Sequence, residues 1–125
     1  MSEINRDVVP SSLDHAVDII VAGLSADDVE FFETESTTRA HHEGGRFLRN
    51  TWSLWDKESH LVQWFRTHLG ISHADDISSV ILVAVQARVI GIKFYPTPML
   101  DRFREHWAKL GCNSFGEKEI QDDDG

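Results

Sequence analysis

Cysteine and long apolar runs are scarce in this sequence, and each scarcity excludes a class of protein. Cys112 is the single cysteine among 125 residues, so a framework of internal disulfides is excluded. A reducing compartment fits this composition best, and we expect the cytoplasm. No stretch approaches the roughly 18 apolar residues of a membrane span, and the N-terminus shows no signal-peptide pattern. We therefore expect no membrane partner.

Positive charge is also scarce, with 12 lysines and arginines against 21 acids and a net charge of −9. The acids concentrate at the ends: residues 1–35 carry nine acids and one base, and residues 111–125 carry five acids and one base. Because nucleic-acid binding depends on cations that contact phosphate, direct binding to DNA or RNA is not expected. The simplest role of the acidic ends is solubility. The alternative is contact with a basic partner through an acidic surface made of Asp27, Asp28, Glu30 and Glu33.

The apolar residues recur with helical spacing, so the sequence predicts an all-α fold: one compact bundle of five to six helices. A serine three residues before an acid is typical of a capping box, and threonine before proline is another helix start. Residues 11–111 form the predicted helical domain, residues 1–10 a flexible N-terminus, and residues 112–125 an acidic, disordered tail. The start signals lie at Ser11, Ser25, Ser72 and Thr97.

Further helices are predicted between these starts. One runs from about residue 38 to residue 55 and places Trp55 on its buried face, and the next runs over residues 57–69. Residues 76–90 are apolar on nearly every side, so they are predicted to be the central helix. Their β-branched content would also suit a buried strand, and for residues 80–90 this alternative stays open.

Two adjacent glycines, Gly44-Gly45, interrupt the helix over residues 38–55. Each costs about 1 kcal/mol relative to alanine, so a helix that accepts both needs the close approach of another group. His42, Arg46 and Arg49 share a face with the second glycine, which leaves a notch in it. The resulting cationic shelf could hold a carboxylate or a phosphate.

A second polar segment begins the central helix. His73, Asp75 and Asp76 lie at its start, where acids compensate the helix dipole. Either aspartate could form an interhelical ion pair with Arg49, in which case the shelf is structural. His73 and Asp76 could instead form an i, i+3 pair that orients the imidazole for acid–base chemistry. A structural lock and a ligand site are both open at this point.

Common catalytic templates are missing from the sequence. The run His41-His42-Glu43 does not have the spacing of a zinc-binding HExxH helix. There is also no phosphate-binding glycine loop and no nucleophile elbow. We therefore expect no metal ion and no cofactor, and we favour a protein without catalytic activity.

The two polar segments together resemble a family of short helical domains of unknown function from bacteria, phages and plasmids. The first signature, His-x-Gly followed by Arg-Asn-x-Trp-x-Leu-Trp, matches residues 42–55, with one extra residue between Gly44 and Arg49. The second, Gly-Ile-x-His-x-Asp-Asp-x-Ser-x-x-Ile-Leu, matches residues 70–82. The resemblance spans roughly residues 13–91 and implies no activity. It implies a single cluster formed by His42, Arg49, Asn50, His73 and Asp76.

The leading hypothesis is a non-catalytic protein-binding module. The resemblance suggests a phage or plasmid accessory protein that binds or inhibits a host defence protein. A second hypothesis is a small-molecule or anion-binding domain, or an enzyme, and a third is an acidic mimic of nucleic acid. None of these carries an expectation about oligomeric state. The candidate residues for a ligand or partner site are His42, Arg46, Arg49, Asn50, His73, Asp75 and Asp76.

Overall fold

The computed structural model describes the backbone of residues 9–34 and 37–117 and the side chains of residues 9–34 and 44–117. Every regular element within these residues is an α-helix, so the predicted all-α, single-domain bundle is confirmed. Residues 80–90, for which a buried strand was the alternative, are helical. The helices are α1 (Leu13–Ala22), α2 (Ala26–Thr34), α3 (Thr37–Thr51), α4 (His60–Leu69), α5 (Ala74–Ile90) and α6 (Thr97–Lys109).

The helix α5 lies at the centre of the bundle because apolar side chains surround its axis on nearly every side. It packs against α1, α2 and α3. Two polar contacts hold its C-terminal half: Gln86 Nε2 donates to the Phe32 carbonyl at 3.0 Å, and Arg88 Nη1 donates to Asp18 Oδ1 at 2.7 Å. The largest buried side chains of the core include Trp52, Phe65, Ile77, Ile81 and Leu82.

The first two helix starts differ in how closely they follow the sequence pattern. The capping box of α2 is confirmed, because Ser25 N donates to Asp28 Oδ2 and Asp28 N donates to Ser25 Oγ, both at 3.1 Å. The predicted start of α1 at Ser11 is wrong by one residue. Ser12 has an extended backbone, and its hydroxyl accepts from His15 N at 3.1 Å, while Ser11 N donates to the His15 ring at 3.0 Å. Two adjacent serines can both cap, and the backbone conformation selects the second.

The helix α3 ends at Thr51, so its predicted extension to residue 55 is wrong. Ser53 has a left-handed backbone with φ of 48°, and Leu54 N donates to the Arg49 carbonyl at 3.1 Å. This six-to-one bond with a left-handed residue before it is a Schellman ending, which reverses the chain. Leu54 therefore turns into the core, whereas Trp55, predicted on the buried face, is 61% exposed.

Two other boundaries also shift for local reasons. The helix α4 begins at His60 rather than at residue 57, because Asp56 Oδ1 accepts from Glu58 N at 2.9 Å and forms a turn. Thr97 is the first helical residue of α6 rather than its cap. Pro96 occupies the capping position and makes no side-chain bond there.

Residues 112–117, which the sequence assigns to the acidic tail, pack against α4. The Arg66 guanidinium lies 3.8 Å from the centre of the Phe115 ring. Glu117 lies 3.6 Å from both Arg66 Nη1 and Lys57 Nζ. A hydrogen bond from Asn113, followed by the charges of Arg66 and Lys57, lowers the pKa of the Glu117 carboxyl. Residues 118–125 of the predicted tail and residues 1–8 of the predicted N-terminus lie outside the described residues.

Candidate functional site

The glycine notch in α3 is filled by a side chain of the same helix. A Cβ atom on Gly45 would stand 2.8 Å from Arg49 Nη1, so the missing side chain leaves room for the guanidinium. Arg49 Nη1 donates to Ser78 Oγ at 3.3 Å and lies 3.4 Å from Asp75 Oδ1. Because Ser78 and Asp75 belong to α5, Arg49 joins the end of α3 to the start of α5.

Asp76 is the buried carboxylate of this region. It is 8% exposed, and its Oδ2 accepts from Trp107 Nε1 at 2.8 Å. Burial raises the pKa of the Asp76 carboxyl, against the opposing effect of the bond from Trp107. The side chain that hydrogen-bonds Asp76 is thus Trp107, 31 positions away on α6, and the pair of His73 with Asp76, one of the alternatives above, has no hydrogen bond among the described residues.

His73 caps α5 with its side chain. The sequence predicts Ser72 as the cap and His73 as the first helical residue, and both predictions are wrong by one position. His73 Nδ1 accepts from Asp75 N at 3.1 Å, so the neutral imidazole carries its proton on Nε2. The ring lies between two tryptophans, with its centre 6.2 Å from that of Trp55 and 5.1 Å from that of Trp107.

These rings form a continuous surface, which we call the tryptophan face. His106 extends it, since its ring centre lies 5.0 Å from that of Trp107. The face joins the turn after α3, the start of α5 and the last turn of α6. Trp55 is 61% exposed, and the His73 side chain is 32% exposed. The tryptophan face consists of Trp55, His73, His106 and Trp107.

The structure brings together four of the predicted cluster residues and leaves others apart. Arg49 and the start of α5, with His73, Asp75 and Asp76, are in one place. Arg46 and Asn50 are exposed on α3. The side chain of His42, which the sequence places in the same cluster, is outside the described residues.

Helical spacing favours the core for both tryptophans of the face, with one exposed tryptophan as a partner anchor the alternative; Trp55 is the exposed one. Trp107 is half-buried, and its bond to Asp76 leaves no local trace in the sequence. Trp55 is the second tryptophan of the Trp-x-Leu-Trp signature. Because α3 ends at Thr51, before this residue, its side chain is exposed.

The candidate acidic surface lies on α2, away from the start of α5 in sequence. Asp27, Glu30 and Glu33 are exposed, and Asp28 accepts from the Ser25 amide at the helix start. No group of three or more histidine, cysteine, aspartate and glutamate residues that could hold a metal ion occurs among the described residues. Of the described helices, none has the length and apolarity needed to cross a membrane.

Comparison with known proteins identifies a family. Residues 9–89 match the model of a domain of unknown function, DUF6794, and no curated protein and no solved structure matches the chain. The matched residues include Arg49, Trp55, His73 and Asp76, whereas Trp107 lies beyond them. Because the match spans more than half of the chain, this protein belongs to the DUF6794 family.

Proposed function

We propose that the protein is a non-catalytic protein-interaction module of the cytoplasm whose partner binds the tryptophan face. The observation that carries this proposal is the exposure of Trp55, at 61%. Tryptophan supplies more binding energy at protein interfaces than most residues, and exposed aromatic patches commonly mark such interfaces.

Two of the four side chains of the face, His73 and Trp107, are fixed by hydrogen bonds, which favours a surface ordered before a partner binds. His73 is fixed by its bond to Asp75 N, and Trp107 by its bond to Asp76 Oδ2. The ion pair of Arg49 with Asp75 ties the start of α5 to α3. A surface ordered in advance loses less conformational entropy when a partner binds, so more of the contact energy appears as affinity.

The alternative of an anion-binding or enzymatic site built on Arg49 has weaker support. The guanidinium is 22% exposed and already has an acceptor in Ser78 Oγ and an ion-pair partner in Asp75. An anionic ligand would have to compete with both. These contacts favour a structural role for Arg49 and leave binding to the neighbouring aromatic rings.

More specifically, we propose that the protein is an accessory protein of a phage or plasmid that binds or inhibits a host defence protein. Small size, net negative charge and the resemblance to phage and plasmid domains support this form. Nucleic-acid mimicry is a competing form, supported by the exposed acids of α2, Asp27, Glu30 and Glu33. Nucleic-acid mimicry would place the partner contact on α2 rather than on the tryptophan face, so variants of the two surfaces distinguish the two hypotheses.

The test compares capture of partners from a lysate of the source organism by three forms of the protein. The wild type and Trp55→Ala are compared with Tyr95→Ala, which removes a ring that is 67% exposed and lies outside the tryptophan face. We expect one stoichiometric partner that the wild type and Tyr95→Ala retain and that Trp55→Ala loses. Equal capture by all three forms, or no stoichiometric partner, would contradict the proposal.

A further inference from the structure

The first turn of α5 is capped by an imidazole, which is an unusual choice for this position. Serine, threonine, aspartate and asparagine are the residues that ordinarily cap a helix. In this chain His73 has the extended backbone of a cap, and its Nδ1 accepts from Asp75 N at 3.1 Å. Serine and asparagine accept at every pH, whereas an imidazole accepts only while one of its nitrogens is unprotonated. The start of α5 is therefore held by a bond that acid can remove.

Protonation of His73 changes this bond in a definite way. Both nitrogens of a charged imidazole are donors, so Nδ1 and Asp75 N would face each other as two N–H groups. A positive ring is also repelled by the positive end of the helix dipole. The ring therefore has to turn away from the amide when it takes up a proton. A carboxylate is close to it, because Asp75 Oδ2 lies 3.9 Å from Nδ1 in the neutral arrangement.

The other charged groups near the ring come from the three elements that meet here. Asp76 on α5 is buried and interacts electrostatically with His73 and with His106 of α6. On α3, Arg49 Nη1 lies 3.4 Å from Asp75 Oδ1. The two aspartates favour a charged imidazole, whereas the arginine and a protonated His106 oppose it. Among side chains, imidazole is the one that ordinarily changes its charge between about pH 5 and 8.

The position of the ring connects its charge to the shape of the tryptophan face. The His73 side chain is 32% exposed, so protons reach it from solvent. Its ring lies edge-on to Trp55, with 80° between the ring planes and 6.2 Å between the centres, and it is tilted by 42° against Trp107. A ring that turns away from the Asp75 amide changes both of these contacts.

We propose that protonation of His73 is a pH switch of the tryptophan face. While the imidazole is neutral, it caps α5 and the face is ordered as in this structure. When the imidazole is charged, the cap is lost and the face rearranges. Because the proposed partner binds the ordered face, acid releases that partner, and this consequence rests on the proposed function. The rearrangement itself does not, since it occurs in the protein alone.

The test follows the protein without a partner by nuclear magnetic resonance between about pH 8 and about pH 5.5. Two signals report on the switch: the backbone amide of Asp75, which loses its acceptor, and the indole N–H of Trp55, whose ring neighbours His73. We expect both to shift along one titration curve, while circular dichroism stays that of the folded helical protein. Trp107 is not used as a reporter, because its indole N–H donates to Asp76 and follows that carboxyl.

Three variants assign the transition to one residue. His73→Asn keeps a side-chain acceptor at the cap position and cannot be charged, so we expect both signals to stay constant over the same range. His106→Gln and Asp76→Asn remove the two other titratable groups near the ring, and the asparagine keeps an acceptor for Trp107 Nε1. We expect both of these control variants to retain the transition.

The affinity for the captured partner is then measured at the two ends of the pH range. We expect the wild-type complex to be about fivefold weaker at the acid end, and the His73→Asn complex to change by less than about twofold. The absence of any partner would contradict the proposed function and not the switch, which the two partner-free signals decide.

The proposal is overturned if the Asp75 amide and the Trp55 indole do not shift over this range. It is also overturned if His73→Asn shifts as the wild type does, because another group then causes the transition. A wild-type complex that is equally tight at both ends of the range would overturn the release of the partner by acid.

Discussion

Arg49 shows how a single missing Cβ sets the geometry of the site. Its guanidinium occupies the space beside Gly45 and reaches Ser78 and Asp75 on the facing helix. The contact of Arg49 with Asp75 and Ser78, which we call the lock, is partly open to solvent, because the Asp75 side chain is 62% exposed. A contact of this kind contributes at most about 1 kcal/mol to stability.

The first prediction concerns this lock. Arg49→Ala is expected to stay folded and to lower the free energy of unfolding by about 1 kcal/mol, because it removes one ion pair and one hydrogen bond. Arg46→Ala, on the exposed side of the same helix, is the control, with an expected change within about 0.5 kcal/mol. Urea denaturation measures both. An equal loss in the two variants would show that Arg49 has no special structural role.

The buried carboxyl of Asp76 leads us to predict how the stability of the fold depends on pH. Burial raises the pKa of this carboxyl above its ordinary value of 3.8, so the folded protein holds the proton more tightly than the unfolded chain does. The stability that this group contributes is fully present below pH 3.8 and is lost as the pH rises through the raised pKa. The cost at neutral pH is about 1.4 kcal/mol for each unit of pKa rise.

Asp76→Asn isolates this effect, since the amide oxygen still accepts from Trp107 Nε1 and carries no charge. We expect the variant to gain stability relative to the wild type as the pH rises, with the difference smallest in acid. Denaturation curves at a series of pH values give the comparison. A difference independent of pH, or a wild type that gains on the variant with rising pH, would contradict the assignment.

At the scale of elements, α6 depends on few contacts. Its buried apolar residues are Met99 and Leu100, near its start, and its last turn is attached to α5 through the bond from Trp107 to Asp76. Trp107→Phe removes the donor and leaves a buried carboxylate without it, which costs about 1–3 kcal/mol. The loss is expected to be concentrated in α6.

Hydrogen exchange tests this expectation residue by residue. In Trp107→Phe the amides of α6 should exchange faster, while those in the second half of α5 stay close to wild type. Phe94→Leu, before α6, serves as a packing control that leaves the Trp107 bond intact. Uniform acceleration across all helices would mean that the bond supports the whole bundle rather than this element.

The helices also show which parts of the fold can be predicted from the sequence alone. The bundle and the central position of α5 are predictable because apolar periodicity and start signals are local properties. The end of α3 is not, because Ser53 adopts a left-handed backbone that glycine or asparagine would ordinarily announce. That one turn decides that Trp55 is exposed rather than buried.

Part of the candidate site can be predicted from the sequence. The meeting of Arg49 with the start of α5 follows from the glycine notch and the two aspartates, and the structure has that contact. The bond from Trp107 to Asp76 joins residues 31 positions apart, and no local pattern encodes it. The choice of His73 over Ser72 as the cap was also open, since both side chains can accept from a backbone amide.

At the scale of the whole molecule, the salt dependence of partner affinity distinguishes binding at the tryptophan face from nucleic-acid mimicry by the acids of α2. A partner on the tryptophan face makes mainly aromatic contacts, whose affinity depends weakly on salt. A partner on the acids of α2 would be bound by long-range attraction, which salt screens within about 10 Å at 0.1 M.

The corresponding prediction uses the triple variant Asp27→Asn, Glu30→Gln and Glu33→Gln. If the tryptophan face binds, we expect partner affinity to change by less than about threefold and to fall little with added salt. Affinity is measured by calorimetry at low and high salt. A collapse of binding in the triple variant, together with a steep salt dependence, would favour nucleic-acid mimicry.

The dissociation constant of the captured partner, compared between the wild type and Trp55→Ala, tests the tryptophan face most directly. We predict that the Trp55→Ala complex is at least about tenfold weaker, equivalent to about 1.4 kcal/mol. The unfolding free energy should stay within about 0.5 kcal/mol of the wild type, because the ring is mostly in solvent. An unchanged dissociation constant would contradict this prediction, and so would a loss of binding that merely follows a loss of folding.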